Sequence, residues 1–198
     1  DFDNDGFLDL AILDTSNKFK LYQQTAFGVF TTLSSGSLNI PSGARGRPQL
    51  AVGDYDLDGN IDIIAHTLTS GNLKQTSDVL KNIGNYNNNF IKIYLNGKEM
   101  GNGQNFEGIG ARIVIKDSSS KAIVNSTYVS PSWKRSNPNT QNHIGIGTST
   151  QVDIEVHWPS GFEKSQSFTN VEVNKSHKIT YKQSAVDLIS VWSPGNGY

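Results

Sequence analysis

A chain of 198 residues is long enough for one large domain or two small ones, each with a buried core. Its formal net charge of −1 creates no global field toward nucleic acid or an anionic membrane, and the absence of cysteine removes disulfides, thiolate metal sites and thiol nucleophiles. Its apolar runs, such as LAIL and IDII, fall far short of the roughly 20 residues a membrane-spanning helix needs, and a composition rich in Asn, Ser, Thr and Gly suits a turn-rich exported β-protein.

The chain opens on an aspartate-rich loop, DFDNDGFLDLAIL at 1–13. Side chains of Asp1, Asp3, Asp5 and Asp9 and the carbonyl of Phe7 can converge on one ion, with Gly6 where the chain must turn sharply. A second copy, DYDLDGNIDIIAH at 54–66, offers Asp54, Asp56, Asp58 and Asp62 and the carbonyl of Asn60, with Gly59 at the turn. The copies are offset by 53 residues, the mark of one supersecondary unit per copy. Oxygen donors without His or Cys are the ligand set of a hard cation, and a flexible cage favours Ca²⁺ over Mg²⁺. Four carboxylates held so close would repel one another without an ion, so two Ca²⁺ sites are expected as part of the fold. Acidic turns without metal are the plainer alternative, and the duplication argues against it.

An EF-hand begins the same way but requires Glu at the twelfth loop position and then a helix. Here that position is Ile12 in one copy and Ala65 in the other, and LDLAIL and IDIIA read as strands. An EF-hand and a dockerin are therefore excluded. A strand, AVG at 51–53, leads into the second loop, whereas nothing precedes the first, so a lead-in strand is expected to be missing there.

The repeat disappears after Asn82, and NYNNN at 85–89 reads as a linker, which places a boundary near 83–89. Beyond it the segments alternate with period two. In FIKIYL, Ile91, Ile93 and Leu95 oppose Lys92 and Tyr94; in ARIVIK, Ala111, Ile113 and Ile115 oppose Arg112, Val114 and Lys116. In QVDIEVHW, Val152, Ile154, Val156 and Trp158 oppose Asp153, Glu155 and His157, and HKITYK repeats the scheme with Ile179 and Tyr181. Turn signals separate them: NG at 96–97, DSSS at 117–120 and PSG at 159–161. The tail after about 184 shows only the short run VDLISVW before SPGNGY.

The loop pattern followed by a short strand resembles the calcium loop of FG-GAP/VCBS repeats, the blades of integrin-α-type β-propellers. KLYQQTAFGVFTTLSS resembles the hairpin of that family, and AVGDYDLDG its strand leading into the loop. The second half is similar to the UnbV/ASPIC domain that accompanies such repeats in cartilage acidic proteins and bacterial exported proteins. The matching pieces are NFIKIYLNG, NFEGIGARIVI, HIGIG, VDIEVHWPSG and NVEVNKSHKITY, in that order. Together these resemblances imply an all-β chain: two propeller-type calcium repeats over 1–84, forming an incomplete propeller, then a β-sandwich-like module over 85–183 and a tail over 184–198. The second resemblance supplies no mechanism.

Catalysis finds little support. His66, His143, His157 and His177 have no HExxH spacing, and Ser160 is not in a G-x-S-x-G elbow. Asp153 and Glu155 merely alternate outward on one strand. GIGAR at 108–112 lacks the GxxxxGK[ST] of a phosphate loop and reads as a tight lead into a strand. Arg112 is expected to pair with a carboxylate, His143 to make a structural hydrogen bond, and Trp158 to anchor the core. Trp133, beside Lys134 and Arg135, could stack on a sugar, and Asn125 and Asn174 fit the N-glycosylation pattern.

The expectation is a non-catalytic, calcium-binding extracellular protein, secreted or at the cell surface, acting in structure, adhesion or surface assembly. Its partner would be a protein or glycan at the cell surface or matrix, with no nucleic acid and no membrane span. Two blades cannot close a propeller, so homo-oligomers or filaments through open sheet edges are expected unless the chain is cut from a longer one. The alternative is a carbohydrate-binding accessory region of a larger secreted enzyme.

Overall fold

The computed structural model describes residues 1–13, 19–34, 49–68, 75–84, 86–97, 107–130, 141–159, 164–182 and 185–189. Every helix or strand among them is a strand, and none of their sheets closes into a barrel. They gather into two compact units, one holding 1–3 and 7–84, the other 4–6 and 86–189.

The first unit is built from two antiparallel sheets of three strands each. One is β1 (Leu10–Leu13), β2 (Phe19–Ala26) and β3 (Val29–Ser34); the other is β4 (Gln49–Gly53), β5 (Asp62–Leu68) and β6 (Gln75–Leu80). Strands β1 and β5 each follow an aspartate loop directly, where an EF-hand would require a helix. The alternation of IDIIA is legible in β5: Ile63 and Ala65 are buried and Ile64 between them is exposed. Ile63 and Ala65 meet Phe2, with Ala11, Leu21, Leu50, Ile61 and Leu80 packed partly buried around them. Among the described residues this is a small core.

The second unit contains β7 (Phe90–Asn96), β8 (Arg112–Asp117), β9 (Ile123–Tyr128), β10 (Gln141–Gly145), β11 (Gln151–His157), β12 (Ser165–Glu172), β13 (Ser176–Thr180) and β14 (Asp187–Leu188). One sheet runs β10-β7-β13-β14, with β7 and β13 parallel; the other, β12-β11-β8-β9, is antiparallel throughout. Both feed one apolar core, through Ile91, Ile93, Leu95 and Ile179 of the first sheet and Ile113, Ile115, Val152, Ile154 and Val156 of the second. Trp158 closes that core as a strand-end anchor: its ring meets Tyr181 edge-on at 5.3 Å, and its indole N–H donates to Gln166 Oε1 at 2.6 Å.

The GIGAR turn is dictated by space. Gly108 has φ +64°, and a Cβ there would stand 2.8 Å from Cβ of Leu95 and 3.2 Å from the ring of Trp158. Only glycine admits both the left-handed backbone and that approach. Lys92 departs from simple alternation. Expected on the solvent face, it is buried, because its ammonium lies 5.3 Å over the Phe90 ring and its register partner is His143.

Candidate metal centres

The two aspartate loops share one backbone conformation. Gly6 and Gly59 both have φ +95°, and the residues two places earlier, Asn4 (φ +59°) and Leu57 (φ +66°), are also left-handed. Two left-handed residues around the central aspartate fold each loop back on itself. As a result, carboxylate oxygens of Asp1, Asp3 and Asp9 lie within 4.8 Å of one another in the first loop, as do those of Asp54, Asp56 and Asp58 in the second.

Asp5 and Asp62 are not among these converging carboxylates. Asp62 is almost fully buried. Its Oδ2 accepts the Tyr55 N–H at 3.1 Å and its Oδ1 the Asn82 N–H at 2.7 Å. Asp9 repeats the arrangement: Oδ2 accepts the Phe2 N–H at 2.6 Å and Oδ1 the Gln24 N–H at 2.8 Å. The ninth-position aspartate thus ties the start of its loop to the strand side of its own sheet.

The second loop is further ordered from within. Asp54 Oδ2 accepts the Gly59 N–H at 2.8 Å, and Asp58 Oδ1 accepts the Asn60 N–H at 2.8 Å. Lys81 forms ion pairs with Asp56 and, at 3.5 Å, with Asp58. The Lys81 hydrogen bond is the main cause holding the Asp56 carboxyl below the usual carboxylate range, and the same contact pushes the Lys81 ammonium up. In the first loop, the Gln23 side-chain amide donates to Asp3. Asn82 also braces the second loop, donating its side-chain N–H to the carbonyls of Phe2 at 2.7 Å and Ile61 at 3.3 Å.

Gln23, Gln24, Lys81 and Asn82 were not singled out in the sequence. A signal existed in the pairs QQ, inside β2, and KN, just after β6. It is masked because the loops are offset by 53 residues (62 − 9) and these pairs by 58 (82 − 24).

Three carboxylates at this spacing need a neutralising charge, and an all-oxygen donor set could hold a hard divalent cation. That fit is met by Asp1, Asp3 and Asp9 in one loop and by Asp54, Asp56 and Asp58 in the other.

In the second unit the charged groups are tied into structural bonds. Asp153 accepts from the Ser118 hydroxyl at 2.7 Å, the Asn170 amide at 3.0 Å and the Lys121 ammonium at 2.6 Å. The Lys121 bond foremost, then Ser118 and Asn170, pull its carboxyl down to about 2. Glu155 pairs with Lys116 at 3.1 Å and with His157 at 3.2 Å. Arg112 donates from Nε to the Ser126 hydroxyl at 3.0 Å, and its charge, after the Lys116 hydrogen bond and the charges of Lys116 and His157, helps to hold the Glu155 carboxyl low.

His143 makes a structural hydrogen bond, from Nε2 to Asn4 Oδ1 at 2.8 Å, and stacks on Phe90 at 5.0 Å. Burial, with the nearby Lys92 charge, pushes it down to about 3, so the ring is neutral and Nε2–H is the donor. His177 Nε2 donates to the Glu172 carbonyl at 2.7 Å. Both asparagine sequons are engaged: Asn125 Nδ2 donates to the Gly145 carbonyl at 3.0 Å, and Asn174 bonds Asn89 at 2.7 Å and the Phe90 amide at 3.0 Å. Trp133, Ser160 and the His66 side chain lie outside the described residues.

Comparison with known families follows the same division. Residues 1–65 match the model of the FG-GAP-like repeat, and residues 101–186 match that of ASPIC and UnbV. No curated protein matches the chain. Domains of both kinds are typical of extracellular and surface proteins, and among the described residues no helix is long and apolar enough to cross a membrane. The chain therefore joins FG-GAP-like repeats of the β-propeller type to a UnbV/ASPIC domain.

Proposed function

We propose that this is a calcium-stabilised, non-catalytic module of an extracellular or surface protein, working in structure, adhesion or surface assembly. The observation that carries the reading is the duplicated convergence of three aspartates in each loop on the same left-handed backbone. Calcium would neutralise each trio and hold the loop against the strand that follows it. The first unit has a small core among the described residues, so binding energy from the ion adds to a limited apolar contribution. A non-catalytic role fits the way Asp153 and Glu155 are occupied by lysines and hydroxyls. Protein or glycan partners at a cell surface or matrix, and self-association along open sheet edges, belong to the same reading.

A thermal melt of the full chain, in calcium and in chelator, tests it, with bound metal quantified. A site filled at a hundred times its Kd adds about 2.7 kcal/mol, so the melting temperature should fall by several degrees on chelation. An unchanged melt with no bound metal overturns the reading.

A further inference from the structure

The two three-stranded sheets are copies, and their registers align residue by residue. In the first, Leu10 stands opposite Tyr22 and Ala11 opposite Leu21; in the second, Ile63 stands opposite Leu80 and Ile64 opposite Val79. Leu10, Ile12 and Tyr22 therefore correspond to Ile63, Ala65 and Leu80, and Ala11 and Leu21 correspond to Ile64 and Val79. Successive residues of a strand point to opposite faces, so these are the two faces of one repeated sheet.

The two copies bury opposite faces. The second sheet supplies Ile63 and Ala65 to the core, with Leu80 partly buried beside them. Ala11 and Leu21, from the other face of the first sheet, pack against that same core. Like units that meet through unlike faces make a head-to-tail contact, and each unit is left with one face over. Those remaining faces are apolar and open: Leu10 and Ile12 are 44 % and 43 % exposed, and Ile64 and Val79 are 37 % and 49 % exposed. The runs LAIL in β1 and DIIA in β5 are apolar at consecutive positions, the pattern of strands covered on both faces.

We propose that the first unit stacks on a second copy of this chain, the Leu10–Ile12 face of one copy covering the Ile64–Val79 face of the next. The occupant follows from the contact the chain already makes with itself. Leu10 and Ile12 offer another copy the same positions that Ile63 and Ala65 fill, and Ile64 and Val79 offer the positions of Ala11 and Leu21. This deepens the self-association in the reading above, moving it from sheet edges to sheet faces. Because the two faces differ, addition continues beyond two copies.

Light scattering of the full chain in calcium, from about 10 µM to about 500 µM to reach the weak range of a small contact, is the test. The wild-type mass should rise with concentration past that of two copies. Ile12→Lys blocks one face and Val79→Lys the other, and each alone should weaken assembly about tenfold or more, since the contact would bury an unpaired ammonium. Mixed together, the two variants still own one intact face each, so they should form one-to-one dimers and nothing larger. Leu10→Lys and Ile64→Lys must repeat this and cover a failure of the first pair to fold. Phe27→Ser, at the exposed β2–β3 turn, should assemble as wild type does. Assembly undiminished in either pair, a mixture that stays monomeric, or assembly lost in Phe27→Ser overturns this inference alone. A wild-type chain monomeric throughout overturns it together with the self-association above, and leaves the calcium reading to its own melt.

Discussion

Leu57 and Asp62 show what single residues do in these loops. Leu57 adopts φ +66°, a conformation that costs a non-glycine residue roughly 1 kcal/mol, in the place where the first loop has Asn4. Leu57 is also half exposed, so it gives up little apolar burial if replaced. Leu57→Asn should therefore stabilise the chain by about 0.5–1 kcal/mol, read from denaturant midpoints in calcium and in chelator alike. Asp62 does a different job from its neighbours, since both its oxygens accept backbone amides. Asp62→Ala strands the Tyr55 and Asn82 amides and should destabilise by about 2–4 kcal/mol even in chelator. Asp58→Asn, whose amide oxygen can still accept the Asn60 N–H and which gives up only an exposed ion pair with Lys81, should cost far more stability in calcium than in chelator. Equal behaviour of the two variants in chelator would refute the distinction. Nothing in the sequence separates these roles, because an aspartate whose oxygens converge with those of its neighbours and one whose oxygens take backbone amides are spelled alike. The difference lies in Asn82, a partner 20 residues away.

At the scale of elements, the alternation in QVDIEVH was legible because β11 lies between two strands with one face on a dense core. Lys92 escaped the same reasoning, since a long stem over Phe90 can be buried without its ammonium losing a favourable contact. The hub at Asp153 was equally hidden. It gathers the turn at Ser118, the Lys121 side chain and the bulge at Asn170, which come from three separate stretches of the chain. Its carboxyl lies at about 2, below the ordinary 3.8, so the folded state binds that proton less readily than the unfolded state. The stability this gives is complete above about pH 4 and is lost as pH falls through about 2. Asp117, held low by the Ser119 and Ser120 hydroxyls and amides, acts in the same direction. Asp153→Asn should therefore be less stable than wild type at neutral pH, and its stability should fall less steeply between about pH 4 and 2. Urea unfolding across that range checks this, and parallel curves for the two proteins would count against the hub.

Among the described residues, two cores of different character stand out. One brings together Phe2, Ile63 and Ala65 with partly buried neighbours; the other draws on both four-stranded sheets of the UnbV/ASPIC region. In the first unit Leu8, Phe27 and Ile83 stay largely exposed, apolar surface of the sort a repeat buries against further repeats or a partner. A unit whose described residues form only a small core depends most on whatever else binds its folded form, and the aspartate loops sit at the starts of β1 and β5. Calcium removal should then loosen these strands while leaving the dense core as it was. Hydrogen exchange with and without chelator measures this strand by strand. Amides of β5 should exchange about a hundredfold faster without calcium, the factor that corresponds to one site filled at a hundred times its Kd, whereas those of β8 and β11 should change little. Equal acceleration in β5, β8 and β11 would mean that the ion stabilises the chain as one cooperative body, and the division of labour between metal and apolar core would be wrong.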